Sequence, residues 1–369
     1  MKALVLEEYQ TDYQLKEVEK PAPAPGQVLV KIAASGVNPL DLKIKAGQAA
    51  HAQTRLPAIL GIDLAGTVEA VGEGVTTPPS GKGLTTLPSG EGATPFKPGD
   101  AVYGMTGGIA GIPGTLAEYA AVDARLLAIK PQNLDFREAA ALPLVFITAW
   151  EALVDKARIT AGQSVLIHGG AGGVGHIALQ IARARGAKVY TTVSPKNKAL
   201  AESYGAIPID HTSLSVESYV QQHTSGEGFD IVLDNIGGKV LDDSFMAVKR
   251  YTGHVVSIQG FVNHNLGPLS FRNATYSGVF TLYPLIAEAN SPLTPRTNSP
   301  LTPDSNSAPA SGSHRAHYGE ILRAATAMAE SGQLKPLVEA RHYSFDTIND
   351  AYHALRNRTV AGKLVIDVG

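Results

Sequence analysis

The stretch SVLIHGGAGGVG, residues 164–175, decides the fold of this chain. The apolar run at 165–167 is typical of a buried parallel strand, and a helical pattern follows the glycines. Gly170, Gly172 and Gly175 fit the pattern G-x-G-x-x-G. We expect the first glycine to permit a sharp turn, the second to let a pyrophosphate approach the backbone, and the third to let helix and strand pack closely. Because free N–H groups at a helix start favour phosphate, the stretch predicts a dinucleotide site rather than a purely structural turn.

The next strand, predicted at 188–193, points to the kind of dinucleotide. Where an NAD site carries Asp or Glu at the strand end, this chain has Ser194, followed by Lys196 and Lys198, with no acid before Glu202. A carboxylate would repel a 2′-phosphate, whereas a hydroxyl and ammonium groups would bind it. Lys196 is equally well explained as a solvated residue at a helix start. The sequence therefore favours NADP over NAD, with NADPH as the cofactor.

Composition limits the classes of function. The 369 residues are too many for one compact core and suggest about two domains. A formal net charge of −2 gives no electrostatic reason to expect nucleic acid or membrane as a partner. Since there is no cysteine, disulfides, thiolate zinc sites and a cysteine nucleophile are excluded. The N-terminus does not resemble a signal peptide, and the longest apolar stretch, 139–150, is too short to span a bilayer, so we expect a cytoplasmic protein.

The order of patterns along the chain predicts an α/β protein with two parts. About the first 125 residues are β-like, and after residue 165 strands and helices alternate, which predicts a doubly wound parallel sheet. The segment 139–153 is helical in pattern. The remaining predicted elements are strands at 28–33, 66–71, 101–104, 231–234, 254–259 and 363–368, and helices at 318–330 and 347–357.

Two stretches of low complexity interrupt this order. Residues 76–98 contain little besides Gly, Pro, Ser and Thr, and we expect a surface excursion there. Residues 289–313 contain the duplicated hexamer NSPLTP and five prolines that forbid a regular helix, which predicts a mobile loop. His314 and His317 follow directly, and we expect both to face solvent.

Taken together, several motifs identify a family. The chain resembles the zinc-free medium-chain dehydrogenase/reductases of the quinone oxidoreductase kind. The resemblance implies a GroES-like β-rich catalytic domain built from 1–126 and 287–369, and a Rossmann domain at 127–286 with its cofactor in the cleft between them. It also implies a homodimer or homotetramer. The matching stretches are GVNPLDLKIKAG (36–47), LGIDLAGTVEAVGEGV (60–75), KPGDAVYG (97–104), AALPLVFITAWEAL (140–153), VLIHGGAGGVGHIALQIAR (165–183) and AGKLVIDV (361–368).

The departures from the zinc-dependent branch predict an enzyme without a metal. Where alcohol dehydrogenases have a zinc-binding Cys, His and Cys, this chain has Asn38, Ile62 and Leu144, and Asp63 alone could not hold zinc. The four-cysteine structural lobe is also missing. Without a Lewis acid the usual means of stabilising an alkoxide is lost. A quinone or an activated C=C is the easier acceptor, because the negative charge that hydride transfer creates is then delocalised.

The resemblance also assigns roles to individual residues. It places Asn38 near the nicotinamide, donating to the carboxamide or to a substrate carbonyl, and Asp41 beside it, either orienting its neighbours or capping a turn. Thr148 is the third predicted catalytic residue. For His211, contact with the adenine and a core or solvent role both remain open. The implied cofactor-binding residues are Gly172, Gly173, Val174, Gly175, Ser194, Lys198, His211, Asn235, Ile258, Gln259, Gly362 and Lys363.

The predicted function is an NADPH-dependent, metal-free reductase of quinones or α,β-unsaturated carbonyl compounds. Reduction of an enoyl thioester and a non-catalytic NADPH-binding structural or sensor protein are the alternatives. Some relatives have a tyrosine proton donor soon after the Asn-Pro-x-Asp segment, but here that region has only His51, so water or a cofactor ribose hydroxyl is left as the proton donor. His168 and His176 flank the glycine-rich turn, and we expect them to be packed rather than catalytic.

Overall fold

The computed structural model describes residues 1–75, 96–289, 313–357 and 359–369. The surface excursion predicted at 76–98 and the mobile loop predicted at 289–313 therefore lie almost wholly outside the described residues. Among the residues that are described, no helix has both the length and the apolar character needed to cross a membrane. The cytoplasmic location stays a prediction.

The N-terminal part is an antiparallel β-rich unit. Its elements are β1 (Lys2–Leu6), β2 (Gln14–Glu17), β3 (Gln27–Gly36), α1 (Pro39–Lys45), β4 (Ala58–Ile59), β5 (Asp63–Val71), β6 (Ala101–Met105), β7 (Tyr119–Asp123) and β8 (Leu127–Ile129). β3 pairs with both β5 and β7 and is central to the larger sheet. Val28, Val30 and Ile32 of β3 share one buried apolar cluster, as the strand's period of two predicts. The start of α1 lies directly after β3, which brings residues 36–41 to one end of this sheet.

A helical segment connects this unit to a parallel sheet. The connection contains α2 (Phe136–Ala140), α3 (Pro143–Trp150) and a π-helical turn, Glu151–Lys156. The sheet and its helices are β9 (Ser164–His168), α4 (Gly173–Ala184), β10 (Lys188–Val193), α5 (Lys198–Ser203), β11 (Ile207–Asp210), α6 (Val216–Thr224), β12 (Ile231–Asp234), α7 (Lys239–Ala247), β13 (His254–Ser257), α8 (Gly267–Phe271), β14 (Thr275–Gly278) and α9 (Tyr283–Ala289).

The order of the parallel strands fixes where a ligand binds. The sheet runs β11-β10-β9-β12-β13-β14, with every neighbouring pair parallel. This is the Rossmann order. Successive strands are added on one side of β9 as far as β11 and on its other side from β12 onward, and this change of side opens a crevice at the carboxyl ends of β9 and β12. The glycine-rich turn follows β9 and lies at that crevice. The predicted α/β fold class, a GroES-like β-rich part plus a Rossmann parallel sheet, is confirmed.

The chain end returns to the N-terminal sheet. It comprises α10 (Ser313–Glu330), α11 (Ile348–Arg356) and β15 (Val365–Asp367). β15 pairs antiparallel with β3, so the segment just before it lies near the start of α1. The exact domain limits at 126 and 286 stay predictions.

Several sequence expectations differ from the structure in detail. The strand expected at 254–259 ends two residues early, because the backbone turns away to form the crevice. The four-residue β11 and β14 were not expected at all. His314 and His317 lie on α10 rather than in a loop. His317 keeps 44% of its side chain exposed, and its Nε2 also lies 2.9 Å from Asp155 Oδ2.

Candidate active site

A buried charge cluster lies where the two parts of the chain meet. Lys363 Nζ donates to Asn38 Oδ1 at 2.5 Å and to Val37 O at 2.9 Å, and lies 3.4 Å from Asp63 Oδ2. The Lys363 and Asp63 side chains are only 4% and 0% exposed. Burial raises the pKa of Asp63 and lowers the pKa of Lys363, and the opposite charge of each partner works against that shift. Each ion therefore depends on the other to remain charged.

The Asn38 side chain is fully engaged in this cluster. Its Nδ2 donates to Asp63 Oδ2 at 2.9 Å and to Gly36 O at 3.3 Å, while its Oδ1 accepts from Lys363. In this arrangement Asn38 holds Asp63 and Lys363 together. The predicted donation from Asn38 to a carboxamide or a substrate carbonyl stays a prediction, and it would require the amide to release Gly36.

Asp41 caps the start of α1. Its Oδ2 accepts the Asn38 backbone N–H at 2.8 Å, and its own N–H donates to Asn38 O at 3.0 Å. This is the pattern of a helix-start cap, one of the two roles that the sequence left open. Asp41 is 2% exposed, and burial raises its pKa to about 7 although the Asn38 N–H and Lys363 act to lower it.

The raised pKa of Asp41 predicts a pH dependence of stability. The folded protein binds more protons than the unfolded chain between the ordinary pKa of 3.8 and about 7, so stability falls as pH rises through this window and levels off above it. The fall between about pH 5 and pH 8 is about 2–3 kcal/mol. Asp41→Asn keeps an acceptor for the Asn38 N–H and should abolish this part of the fall. Urea unfolding of parent and variant at both pH values measures this difference. If the unfolding free energy falls by the same amount in both proteins between the two pH values, the prediction is contradicted.

Helix α3 connects the charge cluster with the glycine-rich turn. The Leu144 N–H donates to Asp63 Oδ1 at 2.8 Å, and Thr148 Oγ1 donates to Leu144 O at 2.6 Å. On the same helix face, Val145 Cγ1 lies 3.4 Å from the point that a Cβ on Gly173 would occupy. The structure thus brings the predicted catalytic residue Thr148 to the crevice between the two parts of the chain.

The individual glycines of the turn have different structural roles from those that the sequence predicted. The left-handed backbone that makes the sharp turn is at Gly169, with φ +74°. Gly170, to which the sharp turn was assigned, instead permits close packing, since a Cβ there would lie 2.2 Å from Thr191 Oγ1. A Cβ on Gly175 would lie 2.1 Å from Gly169 O, as expected for close contact of helix and strand. At Gly172, the N-cap of α4, the nearest atom would be 3.3 Å away.

Gly362 and Lys363 contact the turn from the other side. The Gly362 N–H donates to Ala171 O at 3.0 Å, and Lys363 Cδ lies 3.4 Å from the Cβ position of Gly173. Gly362 has φ +73°, and a Cβ there would lie 2.1 Å from Leu337 O, so this position requires glycine. The stem of Lys363 therefore lies along the turn while its ammonium group reaches the N-terminal sheet.

The two histidines beside the turn are buried and structural. His176 Nε2 accepts the Leu337 N–H at 3.0 Å, so its Nδ1 carries the proton and donates to Gly172 O at 2.9 Å. His168 Nδ1 lies 3.0 Å from Thr192 Oγ1. Burial lowers the pKa of each to about 4, which leaves both neutral at pH 7.

The carboxyl ends of β12 and β13 form the opposite wall of the crevice. Asn235 Nδ2 donates to His168 O at 2.9 Å, whereas Asn235 Oδ1 is buried and has no hydrogen-bond donor among the described residues. The Ile258 N–H donates to Asp234 O at 3.1 Å, and Gln259 is the next residue. The structure thus brings Asn235, Ile258 and Gln259 together at the edge that carries the glycine-rich turn.

Of the residues expected to bind the adenosine end, Ser194 is half-buried, whereas Lys198 and His211 are exposed. Ser194 Oγ accepts from Asn197 Nδ2 at 3.4 Å, and Lys198 Nζ lies 3.9 Å from Glu202 with its side chain 66% exposed. His211 is exposed on the turn after β11. All three follow the carboxyl ends of β10 and β11, the same edge of the sheet as the glycine-rich turn.

An aromatic cluster joins the two parts of the chain at the crevice. The His51 ring stacks on Phe261 with centroids 5.8 Å apart and an interplanar angle of 12°, and it meets Phe280 edge-on at 5.9 Å. Phe280 precedes Thr281, whose Oγ1 lies 3.1 Å from Thr148 Oγ1. Sequence reasoning noticed His51 but not the two phenylalanines, because exposed aromatic residues in loops carry no periodic signal.

A metal-binding cluster is not evident in the part of the chain that the structure describes, where no group of three or more His, Cys, Asp or Glu side chains is placed to hold an ion. Ile62, which stands at the place of a zinc-binding histidine, is 1% exposed within the apolar core. Asp63, the residue after Ile62, has its carboxylate in contact with the ammonium group of Lys363.

Known proteins match the chain along most of its length. The alcohol dehydrogenase GroES-like domain matches residues 24–132, and the domain described as zinc-binding dehydrogenase matches residues 173–291. The 2-methylene-furan-3-one reductase of Solanum lycopersicum is 33% identical over 348 residues, which cover 92% of this chain and 71% of that protein. The chloroplastic NADPH-dependent alkenal/one oxidoreductase of Arabidopsis thaliana is 31% identical over 348 residues, 92% of this chain and 72% of that protein.

Solved structures share the whole fold. An alcohol dehydrogenase superfamily protein from Novosphingobium aromaticivorans is 49% identical, with a TM-score of 0.86 and 100% coverage of both chains. The quinone oxidoreductase from Coxiella burnetii is 25% identical, with a TM-score of 0.74 and coverage of 100% of this chain and 99% of that one.

Proposed function

Because the chain belongs to the medium-chain dehydrogenase/reductase family, an oxidoreductase family with a fold that binds pyridine nucleotides, we propose that it is an NADPH-dependent, metal-free reductase. The acceptor we propose is a quinone or the activated C=C of an α,β-unsaturated carbonyl compound. The observation that carries this proposal is the Lys363 ammonium group, held between Asn38 Oδ1 and Asp63 Oδ2 beside the glycine-rich turn. The positive charge in the catalytic part of the crevice is thereby supplied by a side chain.

The residues at the crevice fit a bound dinucleotide. The open approach at Gly172 and the free N–H groups at the start of α4 suit a pyrophosphate. Asn235 Oδ1 is a buried acceptor without a donor in the described part of the chain, and it suits a ribose hydroxyl. Ser194 and Lys198 would take the 2′-phosphate that distinguishes NADPH. These features support NADPH as the cofactor.

The cofactor and the side chains of the protein have separate roles in the proposed reaction. Bound NADPH supplies the hydride. The Lys363, Asn38 and Asp63 cluster fixes the floor of the crevice, because its three side chains are buried and mutually hydrogen-bonded. His51, Phe261 and Phe280 offer flat apolar surface at the same crevice, which suits a conjugated, planar acceptor. A delocalised enolate or hydroquinone anion needs no Lewis acid.

We also propose that the protein forms a homodimer. β14 is the last strand of the parallel sheet and pairs only with β13 in the described part of the chain. Phe271, at the end of α8 four residues before β14, is 92% exposed, and Tyr283, five residues after it, is 52% exposed. An unpaired sheet edge flanked by exposed aromatic residues suits pairing with a second copy.

A panel of acceptors tests the proposed function. With NADPH, small enones and quinones should be reduced, and exhaustive EDTA treatment should leave the rates unchanged, with no stoichiometric zinc by elemental analysis. Loss of activity on chelation that zinc restores would contradict the metal-free mechanism. Faster turnover of crotonyl-CoA than of any small enone would instead assign an enoyl-thioester reductase. NADPH binding without oxidation across the whole panel would indicate a non-catalytic protein.

A further inference from the structure

A chain of hydrogen-bonding side chains leads away from the crevice. Thr148 Oγ1 lies 3.1 Å from Thr281 Oγ1, and Thr281 Oγ1 lies 2.9 Å from Glu151 Oε2. Tyr318 OH lies 3.2 Å from Glu151 Oε1 and donates to Thr281 O at 2.7 Å. Thr148, Thr281 and Tyr318 are at most 6% exposed, whereas Glu151 is partly exposed. These hydrogen bonds therefore connect the carboxyl group of a partly exposed residue with a hydroxyl at the crevice.

The backbone at Glu151 is unusual. Helix α3 changes there into the π-helical turn Glu151–Lys156, a rare conformation that often accompanies functional sites. Within the described residues Glu151 makes no ion pair, and the hydrogen-bonding partners recorded for its carboxyl group are the hydroxyls of Thr281 and Tyr318. A partly buried carboxyl group that hydroxyls satisfy, without an ion pair to a described residue, is suited to hold a proton.

The reduction of an enone requires a proton. Hydride addition to the β-carbon brings an electron pair and leaves an enolate, and a proton must then be added to complete the product. We propose that Glu151 stores this proton and passes it through the hydroxyls of Thr281 and Thr148 to the enolate. The inference rests on the proposed function, since it assigns the proton source of the same reaction.

The transfer balances without another reactant. Thr148 gives its hydroxyl proton to the enolate and receives one from Thr281, which in turn receives the proton of the Glu151 carboxyl group. The Glu151 carboxylate that remains is protonated again by water. Hydride from NADPH and this proton together reduce the C=C, NADPH is oxidised to NADP⁺, and no group of the polypeptide changes its oxidation state.

The protonation state of Glu151 sets the direction in which the hydrogen bonds between Glu151, Thr281 and Thr148 are donated. Each threonine hydroxyl has one hydrogen. When Glu151 is ionised, Thr281 donates to Glu151 and Thr148 donates to Leu144 O at 2.6 Å, so no hydrogen lies between the two threonines. When Glu151 is protonated it donates to Thr281, and Thr281 donates to Thr148. Thr148 shares a helix face with Val145, which touches the turn, so the proton arrives at the crevice.

The surroundings of Glu151 favour the protonated form. Burial raises the pKa of its carboxyl group, and the charge of Asp155 acts in the same direction. The hydroxyls of Thr281 and Tyr318 and the imidazole of His317 act to lower this pKa. The net direction is upward, so Glu151 keeps its proton to a higher pH than an exposed carboxyl group. Enone reduction should accordingly slow as pH rises through this raised pKa.

We call the path from Glu151 through Thr281 to Thr148 the proton relay. Comparing an acceptor that depends on the relay for its proton with one that does not distinguishes the relay from a purely structural role of these residues. Glu151→Gln and Thr281→Val should each reduce kcat for a small enone about tenfold more than kcat for a quinone, because a hydroquinone oxyanion takes its proton readily from water. Thr281→Ser keeps the hydroxyl and should behave like the parent. In Glu151→Gln the fall of enone kcat with rising pH should disappear. Glu320→Gln, an exposed acid on α10, is the matched control.

A measurement without cofactor provides an independent readout. At mildly acid pH the infrared band of protonated carboxyl groups should be weaker in Glu151→Gln than in the parent, where Glu151 adds to the band of Asp41, and this difference between the two proteins should be lost as pH rises. The relay is overturned if Glu151→Gln keeps the parent's enone rate and pH profile, or if it slows both acceptors equally. A parent that reduces quinones but no enone would overturn the relay alone. A parent that reduces neither would overturn the proposed function instead, and the infrared titration would still report on Glu151.

Discussion

Lys363→Met is expected to cost about 3–5 kcal/mol of unfolding free energy and to lower kcat/KM at least about 100-fold. The variant leaves the fully buried Asp63 carboxylate without its cation, and breaking one partner of a buried ion pair is costly for this reason. It also removes the donor to Asn38 Oδ1 and the side chain that spans the crevice. Urea unfolding and steady-state kinetics measure the two effects.

Two further variants show whether the unpaired buried charge of Asp63 causes the loss of stability in Lys363→Met. Lys363→Met combined with Asp63→Asn removes both charges and should recover most of the lost stability, while kcat/KM stays low because Asn38 still lacks its donor. Lys45→Met breaks an ion pair with Asp12, whose side chain is 76% exposed, and should cost at most about 1 kcal/mol. If Lys363→Met is as stable as the parent, Asp63 is not ionised in the folded protein.

The parallel sheet was predictable where its strands are long or apolar. Residues 188–193 and 231–234 match β10 and β12 as observed, because β10 (KVYTTV) is rich in β-branched and aromatic residues and β12 (IVLD) begins with three apolar ones. β14, TYSG, has a polar composition and forms only because β13 presents an unpaired edge to it. The early start of α10 was missed because the proline-rich stretch before it dominated the local composition.

The site was predictable as far as local motifs reach. The glycine-rich turn and the strand ends follow from spacing, although Gly169 rather than Gly170 makes the turn. Asp63 was dismissed as an incomplete zinc site, since its partner Lys363 is 300 residues away. Glu151 and Thr281 are 130 residues apart, so no local pattern relates them. Contacts of this kind are set by tertiary packing.

The choice of cofactor is the second large expected effect. The end of β10 carries Ser194 and Lys198 where an NAD site has an acid, so the ratio of kcat/KM for NADPH to that for NADH should favour NADPH. A hydrogen bond to a charged group contributes about 1.5–3 kcal/mol, or about a 10- to 150-fold change in affinity. Since Lys198 is 66% exposed, we expect Lys198→Ala to weaken the binding of NADPH by an amount near the lower end of this range. The binding of NADH should be nearly unaffected.

Ser194→Asp should change this ratio further, by about 100-fold, because a carboxylate repels the 2′-phosphate and accepts a hydrogen bond from the free ribose hydroxyl. Lys188→Ala is the matched control: Lys188 is an exposed lysine at the opposite end of the same strand, and its loss should leave the ratio unchanged. The measurement is kcat/KM for both cofactors in all four proteins. A parent that prefers NADH, or a ratio that neither Lys198→Ala nor Ser194→Asp alters, would show that discrimination lies elsewhere, while the glycine-rich turn would still bind a dinucleotide.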